Sequence, residues 1–580
     1  MARISIPYWA DSFVHTGTQP RVGSRAAVLV PFLISLTVPL TLGLAITRQS
    51  LWTDEGFTVW FASHSSLSSF LQALIGSRGA PGDPQFIFYL LHIWAWIKLF
   101  GCSELSLRSA NIPFAAIFIY SMTWASQRLF WNRHLWVLFC LSPFFWFYLN
   151  EARPYIALLS FASAATVALL AFFVDPERYG KTAPRLCLSA LFLAWGAHIL
   201  AAFLFPTLLI LVLAMINSDS KLKSDFLRYW KHPILWCAPL FLLLGGFYIW
   251  VSSYGVNKIE GKPGWRNLAF AFYEFAGFAG LGPPRNDIRE NPSLPVFLPY
   301  WPLLLLGAIS LAAVIFFLRR TLQSGIVRYL LISASAGLLI ALTLSSFAHF
   351  QVLGRHLAVF FPLFLLPVMI GPKRSLRWPS VHRNAIVSVC ALGLVWGVSD
   401  LRLVLLNKYA KDSYREACSI ALSRARQDGA VILWAADPVT AEYYGVTVTP
   451  ANGAFLDPQP SVPQPSLSDG QAIGVFGWSA DQANSYLANS TVPTILVLGK
   501  AQPFDTLGVW RGRIREHTPA PIARLNALSI YEWQAGTDAR CSACSISSPD
   551  ELSAEQTSQN DLRQMNLPAL GVASRLKAAP

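Results

Sequence analysis

Long apolar blocks, separated by short polar segments, recur along residues 26–405. Five of them are clear from the sequence: 26–46, 155–174, 234–251, 296–318 and 384–405. Each block is close to the roughly 17–25 residues that a helix needs to cross about 30 Å of hydrocarbon. The pattern therefore predicts a polytopic, all-α membrane protein.

The basic residues between the blocks predict the orientation, because cytoplasmic loops of membrane proteins are enriched in Lys and Arg. The basic clusters are Arg21 and Arg25; Arg128 and Arg133; Arg178, Lys181 and Arg185; Lys221, Lys223, Arg228 and Lys231; Arg319, Arg320 and Arg328; and Lys373, Arg374, Arg377 and Arg383. An even number of crossings must separate consecutive clusters. Residues 47–127 contain two apolar blocks, although this parity allows only one crossing there.

Of the two apolar blocks in 47–127, the block at 86–100 is the one that we expect not to cross the membrane. This block is about 22 Å long as a helix, shorter than the hydrocarbon core, and it contains Tyr89, His92, Trp94, Trp96 and Lys98. Such a composition is typical of the interface, so we expect a helix on the outer surface. About eleven crossings remain: 26–46, 105–127, 135–150, 155–174, 186–199, 200–216, 233–252, 296–318, 327–347, 356–371 and 384–403.

The composition divides the chain into four parts. We expect a cytoplasmic N-terminus (1–25), a transmembrane domain (26–403), an extracytoplasmic α/β domain (404–540) and a disordered tail (541–580). The transmembrane domain has long outer loops at 47–104 and 253–295. In the α/β domain the pattern predicts a helix at 413–427 and strands at 430–436, 472–477, 494–499 and 527–533.

Overall composition narrows the class of protein. The chain is 54% hydrophobic with a mean hydropathy of +0.44 and a formal net charge of +14. Because the positive charge lies in short loops, with no basic stripe interleaved with aromatics, nucleic acid is not an expected partner. Cys541 and Cys544 form a C-x-x-C pair with no second pair for zinc, so a local disulfide or a plain linker is the favoured interpretation.

Three carboxylates lie beside the predicted outer face. Asp54 and Glu55 follow the first crossing, and Glu151 follows the third. Carboxylates at a lipid–water boundary suit a general base for a sugar acceptor, or a divalent-metal site formed by Asp54 and Glu151. On spacing alone, a solvated Asp-Glu pair and a Glu151–Arg153 contact that fixes a turn remain equally good interpretations.

An ordered set of segments carries a family resemblance. Trp52-Thr53-Asp54-Glu55-Gly56, Asp83-Pro84-Gln85-Phe86, Leu99-Phe100-Gly101 with Arg108, and Glu151-Ala152-Arg153-Pro154-Tyr155 follow one another along the chain. Their order resembles the GT-C glycosyltransferases, in particular the family 39/83 branch with the protein mannosyltransferases and the lipid A aminoarabinose transferase. The family often has His-Pro-Pro where this chain has Asp83-Pro84-Gln85, which leaves the donor or acceptor subtype open.

The resemblance implies an enzyme of the bacterial inner membrane that transfers sugar from a polyprenyl-phosphate donor to an envelope acceptor, which could be a glycan, lipid or protein. It implies a catalytic base at Asp54, with Glu55 and Glu151 as further catalytic carboxylates. The leaving phosphate needs a cationic cradle, for which the candidates are Arg355, Arg153, Arg285 and Arg289. For Arg355, Arg285 and Arg289, snorkelling to lipid headgroups is the alternative interpretation.

Two other classes of protein stay open from the sequence. A transporter or lipid flippase tends to have two similar halves with helices broken at the midplane. This sequence has no internal repeat, and its acidic residues cluster at one surface. The other class is a non-catalytic envelope protein on the same scaffold.

Overall fold

The structure, a computed structural model, describes residues 46–77, 80–81, 84–129, 138, 140–252, 264–290, 293–319, 324–349, 353–369, 379–450, 470–499, 505, 507–517 and 521–533. It also describes positions 33, 35, 37, 38, 41 and 43, all of which are helical. The tail predicted at 541–580, with Cys541 and Cys544, lies outside the described residues.

The described part of the chain is mainly helical, with a small sheet near its C-terminal end. The helices are α1 (Thr53–Ala62), α2 (Leu67–Ile75), α3 (Ile87–Phe100), α4 (Glu104–Ser109), α5 (Ile112–Arg128), α6 (Pro143–Leu149), α7 (Tyr155–Val174), α8 (Pro176–Tyr179), α9 (Ala183–Ala197), α10 (Leu204–Ser218), α11 (Ser220–Ser252), α12 (Trp265–Phe275), α13 (Arg285–Glu290), α14 (Trp301–Leu318), α15 (Gly325–Phe347), α16 (Phe361–Met369), α17 (Pro379–Leu405), α18 (Tyr414–Asp428), α19 (Pro438–Tyr443), α20 (Ala480–Asn489) and α21 (Val509–His517). The strands are β1 (Gly76–Ser77), β2 (Ala80–Pro81), β3 (Val431–Ala435), β4 (Thr447–Pro450), β5 (Gln471–Gly474), β6 (Thr494–Gly499), β7 (Ala523–Leu525) and β8 (Leu528–Trp533).

The chain forms two compact units. The larger unit contains the described residues of 1–47, 83–253 and 258–409, and the smaller unit contains those of 48–82 and 410–580. The segment that carries Asp54 and Glu55 therefore belongs to the smaller unit, together with the C-terminal sheet.

Among the described residues of the larger unit, six helical stretches are long and apolar enough to cross a membrane: Tyr155–Val174, Ile199–Ser218, Ser220–Ser252, Leu294–Phe316, Gly325–Phe347 and Val387–Leu405. Each coincides with a predicted crossing. The stretches Ala183–Ala197 and Gly354–Val368 are apolar but shorter. The protein is accordingly an integral membrane protein.

Helix α7 is the centre of the larger unit. It packs against α5 and α9, and 89% of its most apolar window is buried inside the protein, compared with 17% for α11. Large apolar side chains of α11, such as Trp236 and Leu242, are exposed. Since apolar residues exposed on a membrane helix face lipid, α7 is the core helix and α11 a peripheral one.

Several predicted helix boundaries differ from the structure; the crossing predicted at 105–127, for example, is divided into α4 and α5. Helix α11 begins at Ser220, not at 233, because Pro233 and Pro239 lie inside it without ending it. Its 33 residues span about 50 Å, longer than the hydrocarbon core, so the basic residues predicted as a loop form its first turns. The crossing predicted at 356–371 begins as a 3₁₀ segment, Gly354–Phe360, and continues as α16.

The smaller unit is built on a six-stranded sheet with the order β4-β5-β3-β6-β8-β7. Strands β4, β5, β3 and β6 are parallel, and β8 and β7 run antiparallel at one edge. The central strand β3 is buried on both faces. Its Ile432 and Trp434 pack with α18 on one face, whereas Val431 and Leu433 pack with α20 on the other. This explains the uninterrupted apolar run that predicted a strand here.

Candidate active site

In the larger unit, a buried turn between α6 and α7 holds Glu151 and Arg153. Asn111, which precedes α5, donates from Nδ2 to the carbonyl oxygens of Leu149 (3.1 Å) and Glu151. Its Oδ1 accepts a hydrogen bond from the Tyr89 hydroxyl at 3.1 Å. Glu151 is only 2% exposed. The Asn111 contacts therefore fix the backbone of the turn and the positions of its charged side chains.

A cluster of rings and cations adjoins this turn. The Arg153 guanidinium lies 4.7 Å from the centre of the Phe86 ring, and Phe86 contacts His198 edge to face. The Arg355 guanidinium lies 5.8 Å from the Tyr155 ring, which also packs on His198. All five side chains are buried, so the two arginines are held in one protein interior rather than at lipid headgroups.

The start of α7 adds to the positive potential. Tyr155 is the first residue of this 20-residue helix, and its N-terminal amide groups lie next to Arg153. Helix N-termini favour negative charge, since their backbone N–H groups lack partners within the helix and the helix dipole is positive there. Two arginines and a helix N-terminus thus converge on one buried location.

A second charged group in the larger unit joins Glu274 of α12 to Arg285 of α13. The two form a buried ion pair, and the Tyr148 hydroxyl donates to Glu274 Oε2 (3.4 Å) while it accepts from Arg285 (3.2 Å). The Arg285 guanidinium also stacks 3.5 Å from the Phe147 ring centre. Arg285 thus forms its ion pair with Glu274. The side chain of Arg289 lies outside the described residues.

Tyr148 links the two groups of charges. It lies within electrostatic reach of Glu274, Arg285, Glu151 and Arg355. Gly354 passes so close to Glu274 that a Cβ atom there would collide with the carboxylate, so the 3₁₀ segment that carries Arg355 lies directly against α12. The structure thus brings together the predicted residues Glu151, Arg153, Arg285 and Arg355.

Four hydrogen bonds from α17 and the segment after it fix the loop between α12 and α13. Trp396 Nε1 donates to Ala276, Ser399 to Gly277, Arg402 Nε to Gly280 and the Tyr409 hydroxyl to Gly282, at 2.6–2.9 Å. Gly277 has a φ of +80°, and a Cβ atom there would collide with the Trp396 indole. The glycines of this loop permit the close packing that positions Glu274 and Arg285.

In the smaller unit, the two acidic residues of α1 have different environments. Glu55 is fully buried, and its Oε1 lies 3.2 Å from Lys411 Nζ. Its Oε2 accepts from the Trp52 N–H at 3.4 Å, which caps the helix. Asp54, by contrast, is half-buried. Of the pair, Glu55 holds the helix in place and Asp54 is the more exposed residue.

Helix α1 packs directly on α19, the short helix that follows β3. Gly56 lies against Thr440, where a Cβ atom would collide with the threonine hydroxyl. The Tyr444 hydroxyl, just after α19, accepts from the Leu51 N–H at 2.7 Å. Asp54 is thereby placed at the carboxyl end of the central parallel strand.

That end of the sheet has the topology of a binding crevice. The connection after β3 runs over the face covered by α18, and the connection after the neighbouring strand β5 runs over the opposite face. In open α/β sheets, ligands bind outside the carboxyl ends of strands at such a switch point. Asp437, which follows β3 and is 1% exposed, caps α19 through hydrogen bonds from the Thr440 N–H (2.9 Å) and hydroxyl.

Asp437 was not predicted from the sequence as a site residue. Burial raises its pKa to about 6, against the hydrogen bonds from Thr440 that lower it, and the nearby charge of Asp54 contributes to the increase. Its Oδ1 atom is buried and makes no hydrogen bond to any other described residue. A strand followed by Asp-Pro was the available signal, since it marks a helix N-cap.

A divalent-metal site at Asp54 and Glu151 is the alternative that the sequence leaves open. Within the described ranges, no group of three or more His, Cys, Asp or Glu side chains is arranged to hold a metal ion. In the larger unit, the buried Glu151 lies within electrostatic reach of Arg285.

Two solved structures share the fold of this chain: ArnT from Cupriavidus metallidurans in the apo state, and the same protein bound to undecaprenyl phosphate. Each has a TM-score of 0.50 and 13% sequence identity, and the alignment covers 88% of this chain and 98% of ArnT. No family model and no curated protein sequence matches the chain. The chain therefore has the fold of these ArnT structures, in agreement with the fold predicted from the family resemblance.

Proposed function

We propose that the protein is a membrane glycosyltransferase that moves a sugar from a polyprenyl-phosphate donor to an acceptor outside the cytoplasm. The observation that carries the proposal is the buried cluster of Arg153 and Arg355 at the N-terminus of α7. Two buried cations beside a helix N-terminus favour an anion, and the phosphate monoester that leaves in the reaction is a dianion. The fold shared with ArnT, which has been solved with undecaprenyl phosphate bound, supports the choice of donor.

In this proposal, the reaction is a single displacement at the anomeric carbon. An acceptor hydroxyl oxygen forms the new bond to that carbon as the bond from the carbon to the phosphate oxygen breaks. The electron pair of the broken bond leaves with the polyprenyl phosphate, and the hydroxyl proton passes to a general base. Attack from the face opposite the phosphate inverts the configuration of the sugar.

The residues are assigned by their environments. Arg355 and Arg153 hold the leaving phosphate, because both lie in the anion-favouring cluster. Arg285 supports them indirectly, since its ion pair with Glu274 keeps Tyr148 in place. Glu151 orients the arginines beside it. Asp54 is the general base, because the carboxylate of Glu55 is already bound to Lys411.

A transfer assay tests the proposal. The purified full-length protein is mixed with a labelled polyprenyl-phosphate sugar and an envelope extract, and both labelled product and free polyprenyl phosphate are measured. We expect the two to appear in equal amounts. Movement of the lipid across a vesicle membrane with no release of polyprenyl phosphate would instead identify a flippase. If neither sugar transfer nor lipid movement occurs, the protein is a non-catalytic scaffold.

The orientation is part of the proposal and has its own test. We propose that the smaller unit and helix α3 lie on the outer side of a bacterial inner membrane. Single cysteines at positions 80 and 130 distinguish the orientations in intact cells. An impermeant thiol reagent should label position 80 only. Labelling of position 130 alone would mean that the protein has the opposite orientation in the membrane.

A further inference from the structure

A cavity of the larger unit lies among the membrane-spanning helices. Its volume is about 640 Å³, and its walls come from α12, α14, α15, α16 and α17. The lining is apolar apart from Tyr273, Trp396 and one charged residue, Arg319. The Trp396 N–H is already bound to the Ala276 carbonyl, so ordered water would find few partners here.

The cavity is a groove that adjoins the lipid phase. Val314 of α14 lines it and is 2% exposed, whereas Ile309 on the same helix is 57% exposed, and Ile315 both lines the groove and is 61% exposed. On α15, Leu331 lines it and its neighbour Ile332 is exposed at 56%. Exposed apolar side chains on membrane-spanning helices contact lipid, so the molecules that reach the groove are lipids.

The dimensions indicate how much of a lipid the groove accepts. From Arg319 to Leu311, the wall formed by α14 covers eight residues, about 12 Å along the helix. One leaflet of the hydrocarbon core is about 15 Å thick. The groove therefore matches a hydrocarbon chain that crosses one leaflet, and a long polyprenyl chain exceeds it.

Arg319 distinguishes the two ends of the groove. It follows the last residue of α14, and its guanidinium lies exposed, 4.0 Å from the centre of the Phe316 ring. An arginine at the end of a membrane helix sits at the height of the lipid phosphates. Its charge is complementary to a phosphodiester headgroup in the leaflet on this side.

We propose that the groove is a binding site for one acyl chain of an anionic glycerophospholipid, whose headgroup phosphate contacts Arg319. The occupant comes from the leaflet at the Arg319 end of α14. Its chain packs against Val314, Leu331 and Leu365 and ends near Trp396, the residue that anchors the loop between α12 and α13. This site is independent of the proposed sugar transfer.

Photo-crosslinking in lipid nanodiscs tests the site with the full-length protein. The probe is phosphatidylglycerol with a diazirine at the end of one acyl chain, and mass spectrometry locates the crosslinks. We expect crosslinks concentrated on residues of the groove wall such as Val314 and Leu365. Replacing phosphatidylglycerol by phosphatidylcholine with the same chain should lower their yield about fivefold, and Arg319→Gln should remove that preference.

A matched pair of variants isolates the groove from the surrounding lipid. Leu331→Trp fills the groove, and Ile332→Trp places the same side chain on the lipid-facing surface of the same helix. We expect loss of the groove crosslinks in the first variant and their retention in the second. If Leu331→Trp fails to fold, the distribution of crosslinks in the parent protein, on the groove wall or over the whole lipid-facing surface, tests the proposal.

Two results would overturn the proposal. One is an even distribution of crosslinks over exposed positions such as Ile332 and Leu339, which indicates only the annular lipid shell. The other is labelling of the groove by a diazirine-bearing polyprenyl phosphate but not by the phospholipid, which would assign the groove to the tail of the sugar donor.

Discussion

Lys411 Nζ lies 3.2 Å from Glu55 Oε1, and the two side chains are almost completely buried. They come from distant parts of the sequence, the first turn of α1 and the segment before α18. The pair fixes the orientation of α1 in the smaller unit. Asp54 and Glu55, neighbours in the sequence, consequently have different environments.

The Glu55–Lys411 pair makes a prediction about stability. Glu55→Gln keeps the cap on Trp52 but removes the negative charge opposite the buried Lys411, which should cost about 3–5 kcal/mol. Adding Lys411→Met should restore most of the loss. Thermal unfolding of the purified protein measures both. The control is Lys221→Met, which breaks the exposed pair with Glu177 and should cost about 1 kcal/mol or less.

Replacement of Asp54 tests the proposed base. Asp54→Asn preserves size and much of the hydrogen bonding but cannot accept a proton, so turnover should fall by about 10²–10⁴-fold. Affinity for the lipid donor should hardly change, because the base does not hold the phosphate. Steady-state transfer rates and donor binding measure the two effects separately. An Asp54→Asn protein that folds and retains near parental turnover would contradict the assignment.

Replacement of Arg355 tests the proposed phosphate contact. Losing one charge-assisted contact costs about 1.5–3 kcal/mol, so Arg355→Ala should weaken donor binding roughly ten- to a hundredfold. Arg355→Lys should recover part of this, since the charge remains and the planar fork is lost. Arg328→Ala removes an exposed arginine of α15 and serves as the control. If Arg355→Ala binds a polyprenyl phosphate as tightly as the parent protein, Arg355 does not contact the phosphate.

Asp437 makes a prediction about pH. Its pKa is raised from 3.8 to about 6 in the folded protein, mainly by burial, so folding favours its protonated form. The resulting contribution to stability is complete below about pH 4 and is lost as the pH rises through 6. A shift of about two units corresponds to about 3 kcal/mol.

Asp437→Asn keeps a good helix cap and removes the titration. Its unfolding temperature relative to the parent should therefore increase between pH 4 and pH 7. The exposed Asp481→Asn, in the first turn of α20, is the control and should show no such trend. A difference between Asp437→Asn and the parent that stays constant with pH would mean that Asp437 is not buried as described.

Local patterns were sufficient to predict much of the fold. The run at 430–436 predicted β3 because both faces of that strand are covered, and the block at 155–174 coincides with α7. The start of α11 was predicted wrongly. Lysines normally mark an interruption, but a helix longer than the membrane is thick extends beyond the hydrocarbon, where its first turns can carry them, and Pro233 and Pro239 do not end this helix.

The partners of the charged residues could not be predicted in the same way. Glu274 and Lys411 give no signal in their own segments, and their importance comes from Arg285, Tyr148 and Glu55, which other parts of the chain supply. The same holds for Arg355, which was predicted at the start of an α-helix and lies in a 3₁₀ segment against α12. Such pairings depend on tertiary packing, which a local pattern does not encode.

The hydrogen bond from the Leu51 N–H to the Tyr444 hydroxyl joins residues 393 positions apart. At a synthesis rate of about 5–20 residues per second, the ribosome needs roughly 20–80 s to produce the second partner after the first. During that interval α1 has neither Lys411 nor α19 to pack against. The helix that carries Asp54 therefore lacks these tertiary contacts while the membrane helices insert. A chain that is cut short before residue 410 should therefore insert and yet expose residues 48–62 to proteases.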